Sequence, residues 1–178
     1  MIPILSSLAL AGLLAGAPCE LPCRCISPPS PAEARDESKA VFVGRVVSQR
    51  DSVWILRDAG TTHGWAVQET ESTIVVDVSW KLPAGVSDTI RVWTGKSSCD
   101  PVLIVGEYHL VYAGENRLLP GVLVSPGCSR TTLAASLSAE QQFAGLGTPV
   151  TGTLRPGGYP RPAPAETTGS LPDTHPNH

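Results

Sequence analysis

Two cysteines separated by a single residue, Cys23-Arg24-Cys25, constrain this chain more than any other feature. A disulfide needs a Cα separation and a dihedral that this spacing rarely gives, so the two do not pair comfortably with each other. Each needs a partner further along, and the chain offers Cys99 and Cys128. Counting alone leaves three pairings of these four cysteines open. With both bridges formed, a short N-terminal segment that would otherwise fray is held at two distant points of the fold. Cys19 is the odd cysteine out. It can remain a free thiol, bridge to another molecule, or accept a lipid after an apolar leader, although Pro18 suits that processing poorly.

Paired cysteines belong to oxidising compartments, and the N-terminus agrees. Residues 4–17 form an uninterrupted run of apolar and small residues, too short to span a bilayer. The run ends in Ala15-Gly16-Ala17, the small-x-small pattern of a secretory cleavage site. The usual basic flank is missing, since the first basic residue is Arg24. A buried N-terminal helix or strand is the alternative, but nothing polar in the run marks a solvent face. The expected organisation is a signal peptide at 1–17, one domain at 18–147, and a disordered Pro-rich tail at 148–178. Export places the protein outside the cell or in a periplasm, with lipid anchoring at Cys19 as the variant of that reading. No transmembrane span and a monomeric state are expected.

Along the domain, period-two patterns dominate. Residues 26–35 are rich in Ser, Pro and Ala and read as an extended connector, because Pro28, Pro29 and Pro31 disfavour a regular helix. Ala40–Gln49 is the first strand, with Phe42 and Val46 on one face and Val41, Val43, Arg45 and Val47 on the other. Gly44 marks a bulge or a close backbone approach. Residues 51–68 read as a long hairpin connection whose tip is mobile. Ile74, Val76, Val78 and Trp80 alternate with Val75, Asp77, Ser79 and Lys81, the clearest strand signal in the chain. Further strands are expected at Asp88–Thr94, at Leu103–Ala113 with a bulge at Gly106, and at Leu118–Val124. A helix capped by Ser138 and Gln141 ends at Gly145 or Gly147. Five or six short strands followed by one helix describe a mainly β protein, a small antiparallel barrel that is closed or partly closed.

Several chemistries are disfavoured. A net charge of −3 gives no electrostatic footprint for nucleic acid, and an aromatic content of 5% gives few stacking platforms. Trp54, Trp65, Trp80 and Trp93 mostly sit where packing explains them. His63, His109, His175 and His178 show no metal-ligand spacing, and His109 reads as a surface or edge residue. The four cysteines lack the spacing of structural zinc sites. Glu107 reads as a solvated strand position, and Ser129-Arg130-Thr131 as the cap of a helical turn. No nucleophile stands with a base, so neither an enzyme nor a cofactor is expected.

In order and spacing, the chain resembles the netrin-like module, the N-terminal domain type of the tissue inhibitors of metalloproteinases. The resemblance is carried by Cys23-Arg24-Cys25, Ala40–Val47, Val76–Lys81, the Cys99 loop, Gly106–Ala113 and Cys128–Thr131, across roughly residues 23–147. It implies an OB-type barrel with bridges Cys23–Cys99 and Cys25–Cys128. It also implies a protein partner, a zinc metalloendopeptidase. The α-amino nitrogen and carbonyl oxygen of Cys23 would bind the protease zinc in the position that an open catalytic site leaves for water. Arg24 would enter the pocket beside the metal, where the family has a small uncharged residue. Chelation requires Cys23 to be the first residue of the processed chain, because an amide nitrogen does not ligate. The alternative is an extracellular adhesion or interaction module with no inhibitory activity.

Overall fold

Residues 40–44 are buried, so the first strand has a core on each of its faces. The structure is a computed structural model and describes Cys25 and residues 28–57, 64–86, 88–156 and 158–160. The leader at 1–17, Cys19, Cys23, Arg24 and the chain beyond 160 lie outside the described residues, as does the hairpin tip at 58–63.

Strand β1 (Ala40–Arg57) divides its side chains by parity. Ala40, Phe42 and Val46 join Ile74, Ile90, Val92, Leu103, Val111 and Ala113 in one apolar cluster. Val41 and Val43 join Val78, Trp80, Leu110 and Tyr112 in another, which helices cover. This is the alternation expected from the sequence. Antiparallel to β1 runs β2 (Gly64–Lys81), followed by β3 (Thr89–Gly95) on the far edge of β2. Strand β4 (Tyr108–Glu115) returns to the free edge of β1, pairing Ala40 with Ala113 and Arg45 with Tyr108. Three sequential strands with a fourth returning beside the first form a Greek key.

The two-residue β5 (Leu123–Val124) bridges β4 to β3, and β6 (Thr132–Leu133) adds to β4. The order β1-β2-β3-β5-β4, with β4 back on β1, closes a ring. Closure is incomplete, because β5 touches β3 only at Trp93–Val124. From Thr89 to Val92 that edge of β3 has no strand partner among the described residues. The fold is thus mainly β and ring-like without being a regular barrel.

The cleanest period-two segment hides a change of face. Ile74 and Val76 point into the ring, whereas Val78 and Trp80 belong to the helix-covered cluster. The register skips Asp77 between Val43–Val78 and Gly44–Val76, and a bulge of one residue reverses parity. Gly44 sits opposite this bulge. A Cβ there would lie 2.6 Å from both Ile74 Cγ2 and the Val75 carbonyl oxygen.

Other boundaries differ from expectation. The connector contains a helix, α1 (Pro31–Glu37), because Pro31 occupies the first turn, where its missing N–H costs nothing. Ser30 and Glu33 complete a capping box ahead of it. Residues 103–107 form a loop, with Gly106 at φ 91° in a turn before β4. The last helix, α2 (Leu137–Leu146), is capped by Ser136 and not by Ser138, and Gly147 ends it. Of Leu118–Val124, only the final two residues are strand.

The domain also runs past Gly147. Thr151 bridges to Ser79, and Tyr159 is buried against Tyr108 and Phe143. Arg155 donates to Asp77 at 3.0 Å and to Tyr108 Oη at 2.8 Å, clamping this extension over the bulge. The expected disordered tail therefore starts too early when placed at Thr148. Beyond the ring, β1 and β2 continue as a paired ribbon to Arg57 and Gly64, exposing Val53 and Ile55. No helix among the described residues is long and apolar enough to cross a membrane.

The Gly44 contact has a measurable consequence. Gly44→Ala is expected to destabilise the domain by about 1–3 kcal/mol, as overpacking against backbone does, read as a lower urea midpoint at unchanged m-value. An unchanged midpoint would mean that the two strands can part there freely.

Candidate functional site: the stapled end of the ring

The segment singled out by its cysteines enters the described structure at Cys25, which is exposed. Cys25 is disulfide-bonded to Cys128, with Cα atoms 5.5 Å apart and a sequence separation of 103 residues. This is one of the two pairs that the resemblance implies. Pro28 and Pro29 lead directly into the Ser30 cap of α1. Arg130 Nε–H donates to the Pro29 carbonyl at 2.5 Å, so the connector is tied on both sides of Ser129.

Cys128 occupies a turn closed by Ser129 N–H donating to the Pro126 carbonyl at 3.1 Å. Its φ of 63° lies in the left-handed region, which usually takes glycine or asparagine. The neighbouring Gly127 is needed for a different reason. A Cβ there would come within 3.2 Å of the Cys99 carbonyl oxygen and 3.3 Å of Cys99 Cβ. The Cys99 loop and the Cys128 turn therefore touch. Cys99 is itself disulfide-bonded, and its expected partner, Cys23, is outside the described residues.

The surrounding loops are held by short polar contacts. Ser97 donates from its N–H and its hydroxyl to Asp100 at 2.9 and 2.6 Å. Lys96 pairs with Asp51 at 2.8 Å, fastening the Cys99 loop to the base of the β1–β2 ribbon. Burial pushes the Glu69 carboxyl up, and the Asp100 charge adds to the shift. The residues 129–131 do not cap a helical turn as expected. Thr131 Oγ1 instead accepts from Tyr112 N–H at 3.0 Å and meets the Ser125 hydroxyl at 2.7 Å, knitting the Cys128 turn to β4. Among the described residues no three His, Cys, Asp or Glu side chains converge on a position for a metal ion.

His109 is not the surface residue expected. It is 1% exposed and lies on the ring-facing side of β4, where Ile104 N–H donates to its Nε2 at 3.1 Å. That bond places the proton on Nδ1, which has no partner among the described residues. Burial pushes its pKa down to about 4. A second buried polar group, Glu71, is not marked by any local pattern in the sequence. It is 4% exposed and takes Arg50 on one oxygen at 2.5 Å and Arg91 on the other at 3.4 Å. Its partners lie on two different strands, so no local motif announces the cluster.

Fold and site together define a mainly β, ring-forming domain whose N-terminal segment is covalently fastened beside the end of β3. No family profile matches the chain, and no curated protein matches it in sequence.

Two measurements probe this end of the molecule. Replacing Cys25 and Cys128 together by serine is expected to cost about 2–5 kcal/mol, as for native bridges in small exported domains, with denaturant unfolding as the readout. Non-reducing peptide mapping should link Cys99 to Cys23; a Cys19–Cys99 peptide would overturn that pairing. For His109, the unfolded imidazole titrates near 6.5 and the folded one near 4. The unfolded state therefore binds more protons between these values, and stability falls as pH drops from 6.5 towards 4, by roughly 3 kcal/mol at most from this residue. His109→Gln should remove that component, so the stability gap between parent and variant narrows on acidification. A gap independent of pH would refute the assignment.

Proposed function

We propose that this chain is a secreted netrin-like module that acts by binding another protein through the segment anchored at Cys25. The observation that carries the reading is the staple. The second cysteine of the Cys23-Arg24-Cys25 segment is bonded to Cys128, and the Cys99 loop lies against the same turn. A five-stranded, incompletely closed Greek-key ring with a helix packed on it also fits the OB description that the resemblance implies. A segment pinned in this way loses little conformational freedom on binding, which favours a rigid wedge over a flexible tail.

Where processing leaves Cys23 at the N-terminus, the wedge carries a free amine and a carbonyl oxygen on the same residue, spaced to close a five-membered chelate ring with a metal. Those are the donors a protease zinc with an open position accepts. An α-amino group near pKa 7.7–8.0 loses its proton at modest cost to do so. Arg24 then selects for a pocket that tolerates a long cation. Cleavage after Ala17 favours the second reading, an interaction module without inhibitory activity, because Pro18–Pro22 would precede Cys23.

The secreted protein's first residue, found by N-terminal sequencing, separates the two. Protein beginning at Cys23 is expected to inhibit members of a zinc endopeptidase panel. An added N-terminal alanine should weaken inhibition at least about 100-fold, or roughly 2.7 kcal/mol. Equal inhibition by both forms would reject chelation by Cys23, and absence of inhibition by the Cys23 form would leave the interaction module.

A further inference from the structure

The incomplete closure of the ring creates a second, unrelated feature at the opposite end of β3 from the cysteines. Between the unpartnered stretch of β3, the turn at 83–86 and β5 lies a cavity of about 570 Å³. That is within the range of small-molecule sites, about 300–1,000 Å³. Because the strand edge is open, the cavity is lined by both faces of β3: Ile90 from the ring interior, and Arg91 and Trp93 from the exterior. Val86, Val122 and Leu123 supply further apolar wall.

Its charged lining is unequal. Lys39, Arg91 and Glu115 are the titratable residues of the wall. Lys39 holds Glu115 only loosely, at 3.8 Å, and both side chains are substantially exposed. Arg91 meets Glu71 at 3.4 Å, but that carboxylate is already held closely by Arg50. Among the described residues the Arg91 guanidinium makes one hydrogen bond, from a single nitrogen to Glu71, and lies 5.9 Å from the Trp93 ring. Trp93 is 7% exposed, and its indole N–H, a donor only, is buried without a hydrogen-bond partner among the described residues.

We propose that this cavity binds an apolar molecule bearing a single carboxylate, with a medium-chain alkyl carboxylate as the simplest example. The chain lies over Ile90, Val86, Val122 and Leu123, and the carboxylate meets the surplus positive charge of Arg91 and Lys39. The wall carries Lys39 and Arg91 against the single carboxylate of Glu115, so a cation of the same shape would meet a net positive wall and a neutral molecule would leave that surplus unmatched. The proposal does not depend on the staple or on the reading of function given above, since the cysteines lie beyond the other end of β3.

The test uses the oxidised full-length protein, titrated calorimetrically with octanoate, decanoate and dodecanoate below their micelle concentrations. Decanol and decyltrimethylammonium serve as probes with the same tail. One saturable site is expected, with Kd below about 1 mM and tightening roughly two- to fourfold per added methylene. Decanol and the cation should bind at least about tenfold more weakly than decanoate. Ala84→Trp, at an exposed position on the rim, should block binding while leaving the melting temperature in place. Lys39→Gln and Arg91→Gln should each weaken decanoate but not decanol. Lack of saturable binding, equal binding of the cation, or insensitivity to Ala84→Trp in a folded variant would each overturn the proposal. Should Ala84→Trp fail to fold, the two charge variants decide the matter alone.

Discussion

The pairing of β1 with β4 is the contact on which the rest depends. Over Ala40–Arg45 the first strand is hydrogen-bonded on both edges, to β2 and to β4, and buried on both faces over most of that length. Ala40 and Phe42 help fill the ring, and Val41 and Val43 support the helices. Breaking that pairing would open the ring and remove the floor beneath α1 and α2 together. Gly44 is a point of close approach in this arrangement, where β1 crosses the Asp77 bulge with no room for a side chain.

The bulge has its own supporting structure. Arg155 reaches Asp77, Tyr108 and the face of Tyr159 from a segment whose composition suggests disorder. Thr151 forms a bridge with Ser79 just beyond the bulge. A parity reversal exposes the strand to competing registers, and a chain laid across it with both an ion pair and backbone hydrogen bonds fixes one of them. This explains why a Pro- and Gly-rich stretch is part of the domain: most of its partners are on β2, β4 and α2.

What could be read in advance follows from how local each cause is. The faces of Ala40–Val47 were legible because the alternation there meets no interruption. The face change in Ile74–Trp80 was not, since a bulge leaves the spacing of apolar residues in the sequence untouched and alters only the pairing. The helix at Pro31 was missed by treating proline as a breaker, although Ser30 and Glu33 stand at capping-box spacing. His109 is held by the backbone N–H of a loop residue five positions back, Ile104, whose own side chain is exposed, so nothing in either residue alone marks the burial. The clusters around Glu71 and the cavity beside β3 draw on several elements each, so they exist only once the ring is formed. Cysteine counting left three pairings open, the resemblance implied Cys25–Cys128, and the structure contains that bond.

That bond makes the chain between its two ends a covalent loop of most of the domain, with the β1–β2 ribbon projecting from it. A projecting ribbon is the part of such a domain that a protease reaches first. One backbone scission between Arg57 and Gly64 would produce two polypeptides that remain a single molecule, since each carries one of the linked sulfurs. The nicked species would gain only the mass of one water and keep its ring pairing, and the pieces would stay covalently joined until the disulfide was reduced.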